Sequence, residues 1–407
     1  MDLKSLKDIN FKNKKVIIRV DYNVPLALID NEYTITDDKR IEESIPTLEY
    51  ILKQKPSEII ILSHLGRPKL VTDKKRFSLF PVFSKLEKYL ENHDCDLTFI
   101  QDPSPNQISQ HLSKHKKSKQ TLVALVENTR FLDINDNLES TLNKKLAQEW
   151  ANLGDVFVFD GWGVAHRDST SGAGIPLFMK ESCLGFLVEK ELLTLEIITK
   201  HPKRPLTVII GGAKVSDKIK VIKNILNFAD HLIIAGGLAF SFYKALGHEI
   251  GTSLVENDYL ATLKTLLEKH SGKIILPIDN VLSTEFKDQP GVIRNINQFK
   301  ANEMGMDIGP YSIKAFSDII LKSKSIIWNG PVGVFEMDHF KEGTKSLLEL
   351  LANNPQIYSF IGGGDTAAAC AKFGLEKKVS FISTGGGVCL TFLEGKELKG
   401  ISNIQKR

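Results

Sequence analysis

No stretch of this chain stays apolar over the ~18 residues needed to cross a bilayer, and residues 1–15 are polar, without the apolar core of a secretory signal. These absences predict a soluble, cytoplasmic protein. Cysteine is scarce: Cys95, Cys183, Cys370 and Cys389 stand far apart and form no C-x-x-C pair, so reduced structural thiols are expected. There is little excess of either charge. The 53 Lys and Arg against 49 Asp and Glu leave +4, too balanced for a nucleic-acid or membrane-surface protein. The basic run 114–119 has no interleaved aromatics and reads as a solvated helix end. Low-complexity segments and repeats of 20 to 50 residues are also missing. The common nucleotide signatures are absent too: there is no G-x-x-x-x-G-K-[ST], and no G-x-G-x-x-G opens a helix after a strand. His166-Arg167-Asp168 imitates a protein-kinase catalytic loop, but Ala173 stands where Asn is required and no D-F-G follows.

What the chain does have is a pattern repeated five times in its second half. Short β-branched and aromatic runs end in glycine at 208–212, 233–237, 326–330, 360–364 and 381–387. Runs this short suit strands buried on both faces, and the glycines let backbone amides approach a ligand at the strand's carboxyl end. Ligands of open α/β sheets bind at that edge, where helix N-termini offer unpaired N–H groups. The first half alternates in the same way. Strand-like runs at 16–20, 58–62, 97–100, 122–126 and 156–159 are separated by amphipathic stretches such as Ile45, Leu48, Ile51, Leu52 and Phe83, Leu86, Tyr89, Leu90. At 407 residues the chain exceeds a single core. The prediction is α/β, with two doubly wound parallel-sheet lobes joined by a helix over about 186–199 that acts as part of a hinge. The lobes span 1–183 and 200–387 around a 184–199 connector, and the binding crevice lies between them.

Two constellations carry chemistry. In Gly362-Gly363-Gly364-Asp365-Thr366 a carboxylate and a hydroxyl follow a glycine turn into a helix-forming Ala367-Ala368-Ala369. By itself that is an N-cap; the functional alternative has Thr366 holding phosphate and Asp365 holding Mg²⁺, which takes one or two carboxylates plus phosphate oxygens. In Gly211-Gly212-Ala213-Lys214-Val215-Ser216-Asp217-Lys218 the lysines fall four apart, on one face of the helix that follows, and reach over the same crevice. The first half places arginine and histidine at its strand ends, in 19–25, 64–68, 127–131 and 165–167. Several guanidinium forks converging on one edge match a small anion.

Taken together, Arg19 to Pro25, His64 to Pro68, Gly211 to Lys218, Trp328 to Glu336, Gly362 to Thr366 and Ser383 to Gly387 resemble the phosphoglycerate kinase family, in its order and at about its spacings. The resemblance implies two Rossmann-like lobes. One binds 3-phosphoglycerate or 1,3-bisphosphoglycerate through Asp21, Asn23, Arg40, His64, Arg67, Arg130 and Arg167. The other binds Mg-ADP or Mg-ATP through Gly212, Ala213, Lys214, Lys218, Gly237, Gly309, Asn329, Pro331, Glu336, Gly363, Gly364, Asp365 and Thr366, with Glu336 on the ribose and Asp365 on the metal. Arg40, Lys214 and the amides of Gly363 and Gly386 surround the transferring phosphoryl, and residues 388–407 return to the first lobe. The implied protein is a glycolytic phosphotransferase, monomeric, with no nucleic-acid or membrane partner. The chain departs from the family's usual pattern at Trp162, Ser169, Leu238 and Val388-Cys389.

Overall fold

A computed structural model of the chain describes residues 2–115 and 120–407. The chain divides into two compact units, Met1–Leu193 with Glu397–Arg407, and Thr194–Lys396. Of the basic run, Lys114 and His115 are exposed at the end of helix Pro105–Lys114, and 116–119 lie outside the described residues.

The first unit is built on six parallel strands in the order Cys95–Ile100, Thr121–Val126, Glu58–Leu62, Lys15–Val20, Val156–Asp160 and Glu181–Leu184. Glu58–Leu62, Thr121–Val126 and Val156–Asp160 are buried along their whole length, so apolar side chains can occupy both faces without a period of two. Helix Ile45–Leu52 buries Ile45, Leu48, Ile51 and Leu52, and helix Phe80–Leu90 buries Val82, Leu86 and Leu90. The i, i+3, i+4 spacing of these residues sets that face against the sheet core. Strand Glu181–Leu184 carries the sheet across the boundary predicted at 183, and the hairpin Leu26–Ile29 with Glu32–Ile35 had no counterpart in the apolar pattern.

The second unit repeats the plan with Ile274–Ile275, His231–Ile234, Leu206–Ile210, Ser325–Asn329, Tyr358–Gly362 and Phe381–Ile382, again all parallel. All five glycine-ended runs are strands here. Trp328 is fully buried at the centre of the core formed by Ile209, Ile233, Phe316 and Leu347; truncating such a side chain to alanine typically costs about 3–5 kcal/mol. A three-stranded antiparallel sheet, Val292–Asn295, Asp279–Ser283 and Met304–Ile308, is added to the parallel plan. Its strands are short and one is largely exposed, so they lack the continuous apolar signature of the others.

The return of the chain begins later than 388. Helix Gly386–Leu393 packs within the second unit, where Asn224 Nδ2 donates to the Leu393 carbonyl at 2.8 Å. Residues 397–407 belong to the first unit: Lys4 N–H donates to the Gln405 carbonyl at 2.8 Å, Arg407 N–H to the Asp2 carbonyl at 2.9 Å, and Gly400 N–H to the Ala165 carbonyl at 2.7 Å. That last contact braces the turn that carries His166 and Arg167.

Candidate active site

In each sheet the chain runs outward to one side of its first strand and then crosses to the other, so the strand order reverses beside Lys15–Val20 and beside Leu206–Ile210. Crevices open at the carboxyl ends of such strands, and most of the predicted site residues stand there.

At the first unit's edge, strand Lys15–Val20 delivers Asp21, whose Oδ2 accepts from Arg40 Nη1 at 2.6 Å. Arg40 comes from the short helix Lys39–Glu42, separate from the helix that begins at Ile45 with Pro46 in its first turn. Asp21 Oδ1 accepts from the Asn23 N–H at 3.1 Å, Asn23 Oδ1 from the Gly66 N–H at 2.8 Å, and the Gly66 carbonyl from Arg130 Nη1 at 2.6 Å. Four of the predicted residues are thereby tied into one chain of hydrogen bonds through Gly66. Gly163 makes room for it, because a Cβ there would fall 2.0 Å from Asp21 Oδ2. Arg67 is exposed and Arg167 half-buried.

The electrostatics of this edge favour an anion. Burial lowers the Arg130 pKa to about 10, with Arg167 and Arg19 adding to the effect. Arg167 is lowered by burial and then by Arg67, and His64 is held well below the usual imidazole range by burial, then by Arg19, Arg130, Arg167 and Arg40. Like charges that depress one another are held together at a cost that a bound anion relieves. Among the described residues Arg167 Nε and His166 Nδ1 are buried without a hydrogen-bond partner, so Arg167 still has a donor to satisfy. The departures from the family pattern at Trp162 and Ser169 are structural in this setting. Trp162 is fully buried, and Ser169 Oγ accepts from the Gly172 N–H at 3.2 Å to start the turn Thr170–Gly174.

The second unit's edge holds a cleft of about 450 Å³ lined by the glycine turns at 212, 330, 363–364 and 386–387 with Ala213, Lys214, Asp217, Lys218, Asn329, Asp365, Thr366 and Leu390. Gly363 has φ +98° and a Cβ on it would lie 3.0 Å from Asn329 Nδ2, so the turn requires glycine. The helices Gly364–Lys372 and Gly386–Leu393 start at Gly363 and Gly385 with no side-chain cap. Their first N–H groups therefore lack the usual capping acceptor and can bind phosphate oxygens. Asn329 Nδ2 is a further buried donor with no partner among the described residues.

The structure corrects two local readings. Lys214 and Lys218 do not share a helix face, because the helix begins only at Ile219 and Lys218 is its N-cap residue. The loop is instead fixed from outside: Gly212 N–H donates to the Pro331 carbonyl at 3.2 Å and Ser216 N–H to Glu256 Oε2 at 2.9 Å. Nor is the Asp365-Thr366 pair an N-cap. The Thr366 hydroxyl is buried and accepts from the Gly330 N–H at 2.8 Å, whereas Asp365 is exposed and makes no side-chain hydrogen bond among the described residues.

Not every predicted residue lies in the cleft. Pro331 is outside the lining and reaches it only through its carbonyl, which accepts from the Gly212 N–H, and Gly237 packs 3.2 Å from the Ala213 backbone, measured from an ideal Cβ. Gly309 does not line it: it opens helix Pro310–Lys322, and its missing Cβ leaves room for Asp279, whose carboxylate caps the Tyr311 and Ser312 N–H groups. Glu336 is exposed and also outside the lining. Asn128 was missed at the first edge; it orients Arg130 by accepting from its N–H at 3.1 Å and grips the Leu65 and Phe77 carbonyls at 2.6 and 2.9 Å. An asparagine between the buried strand end and Arg130 was its only sequence signal.

The family described as Phosphoglycerate kinase matches residues 6–396. The chain is 43% identical over 409 residues to a phosphoglycerate kinase of Lactobacillus delbrueckii subsp. bulgaricus, covering 99% of each, and 42% identical over 408 residues to one of Staphylococcus aureus, covering 100% of each. It is similar to the solved structure of phosphoglycerate kinase from Coxiella burnetii, with a TM-score of 0.86 and 37% identity over 99% of this chain and 98% of that one.

Proposed function

Since the chain belongs to the phosphoglycerate kinase family and catalyses reversible phosphoryl transfer from 1,3-bisphosphoglycerate to ADP, we propose that its two sheet edges divide the substrates between them. The supporting observation is their contrast. One edge gathers guanidinium groups around Asp21 and Asn23, and the other presents uncapped helix N-termini beside Lys214, Lys218 and Asp365. The first suits the carboxylate and phosphate of 3-phosphoglycerate, to be held by Asp21, Asn23, Arg40, His64, Arg67, Arg130 and Arg167. The second suits a nucleotide's phosphates, with Gly237, Gly309, Pro331 and Glu336 assigned to its remainder.

Asp365 fits the Mg²⁺ that accompanies the nucleotide, because its carboxylate is exposed at the cleft and uncommitted to the helix end. When bound, the ion supplies charge neutralisation on phosphate oxygens. The residues do the rest by position and charge. In a loose in-line transition state, charge spreads over three equatorial oxygens, so preorganised donors are what catalysis needs. Lys214, Arg40 and the amides of Gly363 and Gly386 are assigned that role. Arg40 spends only Nη1 on Asp21, which leaves further donors of its fork for phosphoryl oxygens. The attacking oxygen of ADP or of the substrate carboxylate is already ionised, so no general base is required. Water must be excluded to protect the acyl phosphate. We place the protein in the cytoplasm as a monomer; no helix among the described residues is long and apolar enough to cross a membrane.

The test is a coupled assay of ATP consumption with 3-phosphoglycerate, trapping the acyl phosphate with hydroxylamine. Turnover should need both substrates and a divalent cation. Turnover that persists without divalent cation would remove Asp365 from its role.

A further inference from the structure

Behind His64 lies a buried network that phosphoryl transfer does not itself use. Arg19 is 1% exposed although it sits in the central strand of its sheet. Its Nε donates to Ser171 Oγ at 2.7 Å, its Nη1 to the Val20 carbonyl, and its Nη2 faces His64 Nδ1 at 3.2 Å. Glu139, also 1% exposed, lies 3.8 Å from Nη2. Its carboxylate accepts from the Ser171 N–H at 3.0 Å, from the Ser171 hydroxyl, and from Thr129 Oγ1 at 3.3 Å.

A guanidinium has five N–H donors and no acceptor. The imidazole nitrogen that faces it must therefore present a lone pair, which leaves the ring proton on Nε2. That nitrogen makes no hydrogen bond among the described residues. We propose that Glu139 and Arg19 are positioning residues that lock His64 as the neutral Nε2–H tautomer, so that the anion site always meets a hydrogen-bond donor there. The inference rests on reading this edge as the phosphoglycerate site. The other charges facing His64 do not oppose it. Arg40, Arg130 and Arg167 all disfavour an imidazolium. Asp21 favours one, at 3.9 Å, but its carboxylate is already paired with Arg40, and Glu139 is paired with Arg19. The Nδ1–H tautomer would aim a lone pair at the substrate's phosphate, and a titrating ring would make its affinity follow pH.

The test is long-range ¹H–¹⁵N correlation on the full chain labelled at histidine nitrogens, with His64 assigned by its loss in His64→Gln. From about pH 5.5 to about 8, the range of ordinary histidines, His64 should stay neutral with Nε2 protonated and Nδ1 bare. Titration within that window, or a proton on Nδ1, overturns the proposal even in an active enzyme. A chain that does not phosphorylate 3-phosphoglycerate would sink the functional reading and leave the tautomer measurement standing.

The double variant Arg19→Met/Glu139→Leu removes both charges together and leaves neither buried unpaired. With no guanidinium facing Nδ1, the His64 ring should lose its single tautomer and show protonation on Nδ1 in the same spectra, while burial and Arg130, Arg167 and Arg40 still hold its pKa down. The Nδ1–H form offers the anion a lone pair in place of a donor, so KM for 3-phosphoglycerate should rise by about threefold to tenfold. KM for ATP should stay constant. A variant ring still protonated only on Nε2, or an unchanged KM for 3-phosphoglycerate, would mean that Arg19 only stabilises the fold, and would reject the inference. If the double variant does not fold, the tautomer of the parent decides.

Discussion

The Lys218 ammonium lies 2.8 Å from Asn329 Oδ1, and the same nitrogen donates to the Gly211 carbonyl at 2.7 Å and the Asn329 carbonyl at 3.2 Å. One half-buried lysine thus joins the ends of the two strands that flank the reversal in the second sheet. Burial lowers its pKa to about 8, against the pull of Asp365 and Asp217. In its proposed role the lysine holds phosphate only while charged, so kcat/KM for the nucleotide should decline as pH rises through about 8. Bound phosphate favours the charged form and should move the corresponding limb of kcat higher. Lys218→Met should weaken nucleotide use and abolish the limb; an unchanged limb would assign it to another group. For stability the sign is opposite. Between about 8 and the unfolded value of 10.5 the unfolded chain binds more protons, so this lysine's contribution to stability rises with pH.

Lys214→Ala should lower turnover by about 10² to 10³, the usual loss for one electrostatic donor at a reacting group, with much smaller changes in KM. Steady-state kinetics at saturating substrates measures this. Turnover within about threefold of the parent would place Lys214 away from the transferring phosphoryl.

Asp365→Asn should weaken Mg-nucleotide binding and leave 3-phosphoglycerate binding nearly intact. Its side chain makes no hydrogen bond among the described residues, so the substitution takes no structural bond from the fold. Separate calorimetric titrations of the two ligands are the measurement, and equal losses would contradict the division of substrates between the two edges.

Arg67→Ala and Arg130→Ala should do the converse. Arg67 is exposed, so its loss should be one of charge alone; Arg130 also holds the Gly66 carbonyl, so its loss should be the larger. The parent's affinity for 3-phosphoglycerate should fall as salt rises, since screening weakens a site made of several charges. An affinity indifferent to salt would make these arginines structural.

Gly163→Ala puts a methyl 2.0 Å from Asp21 Oδ2 and must displace the Asp21–Arg40 pair. The expected result is a raised KM for 3-phosphoglycerate with nucleotide binding unchanged. Normal kinetics would show that the pair does not organise this site.

The misreadings have physical causes. Lys214 and Lys218 are spaced for a helix face, but the loop's N–H groups are taken by Pro331 and Glu256, remote in sequence, so local periodicity lost to tertiary hydrogen bonds. Residues 279–308 pair antiparallel in short, partly exposed strands, which leave no continuous apolar run to read. Gly309 stands apart from these: it keeps its proposed place beside the nucleotide's remainder, and its missing Cβ also makes room for Asp279.

The sequence by itself determined the two parallel sheets, the glycine turns at their strand ends and the family, because buried strands and positive-φ turns are local demands written in runs of a few residues. Only the tertiary structure decided which polar groups are free to act. Thr366 is turned inward to Gly330 while its neighbour Asp365 faces the cleft, and Arg19 is buried against Ser171, 152 residues away, rather than exposed beside Arg40. A side chain's charge and donors are properties of its type; whether they are spent inside the fold or left for a ligand depends on neighbours brought together from distant segments.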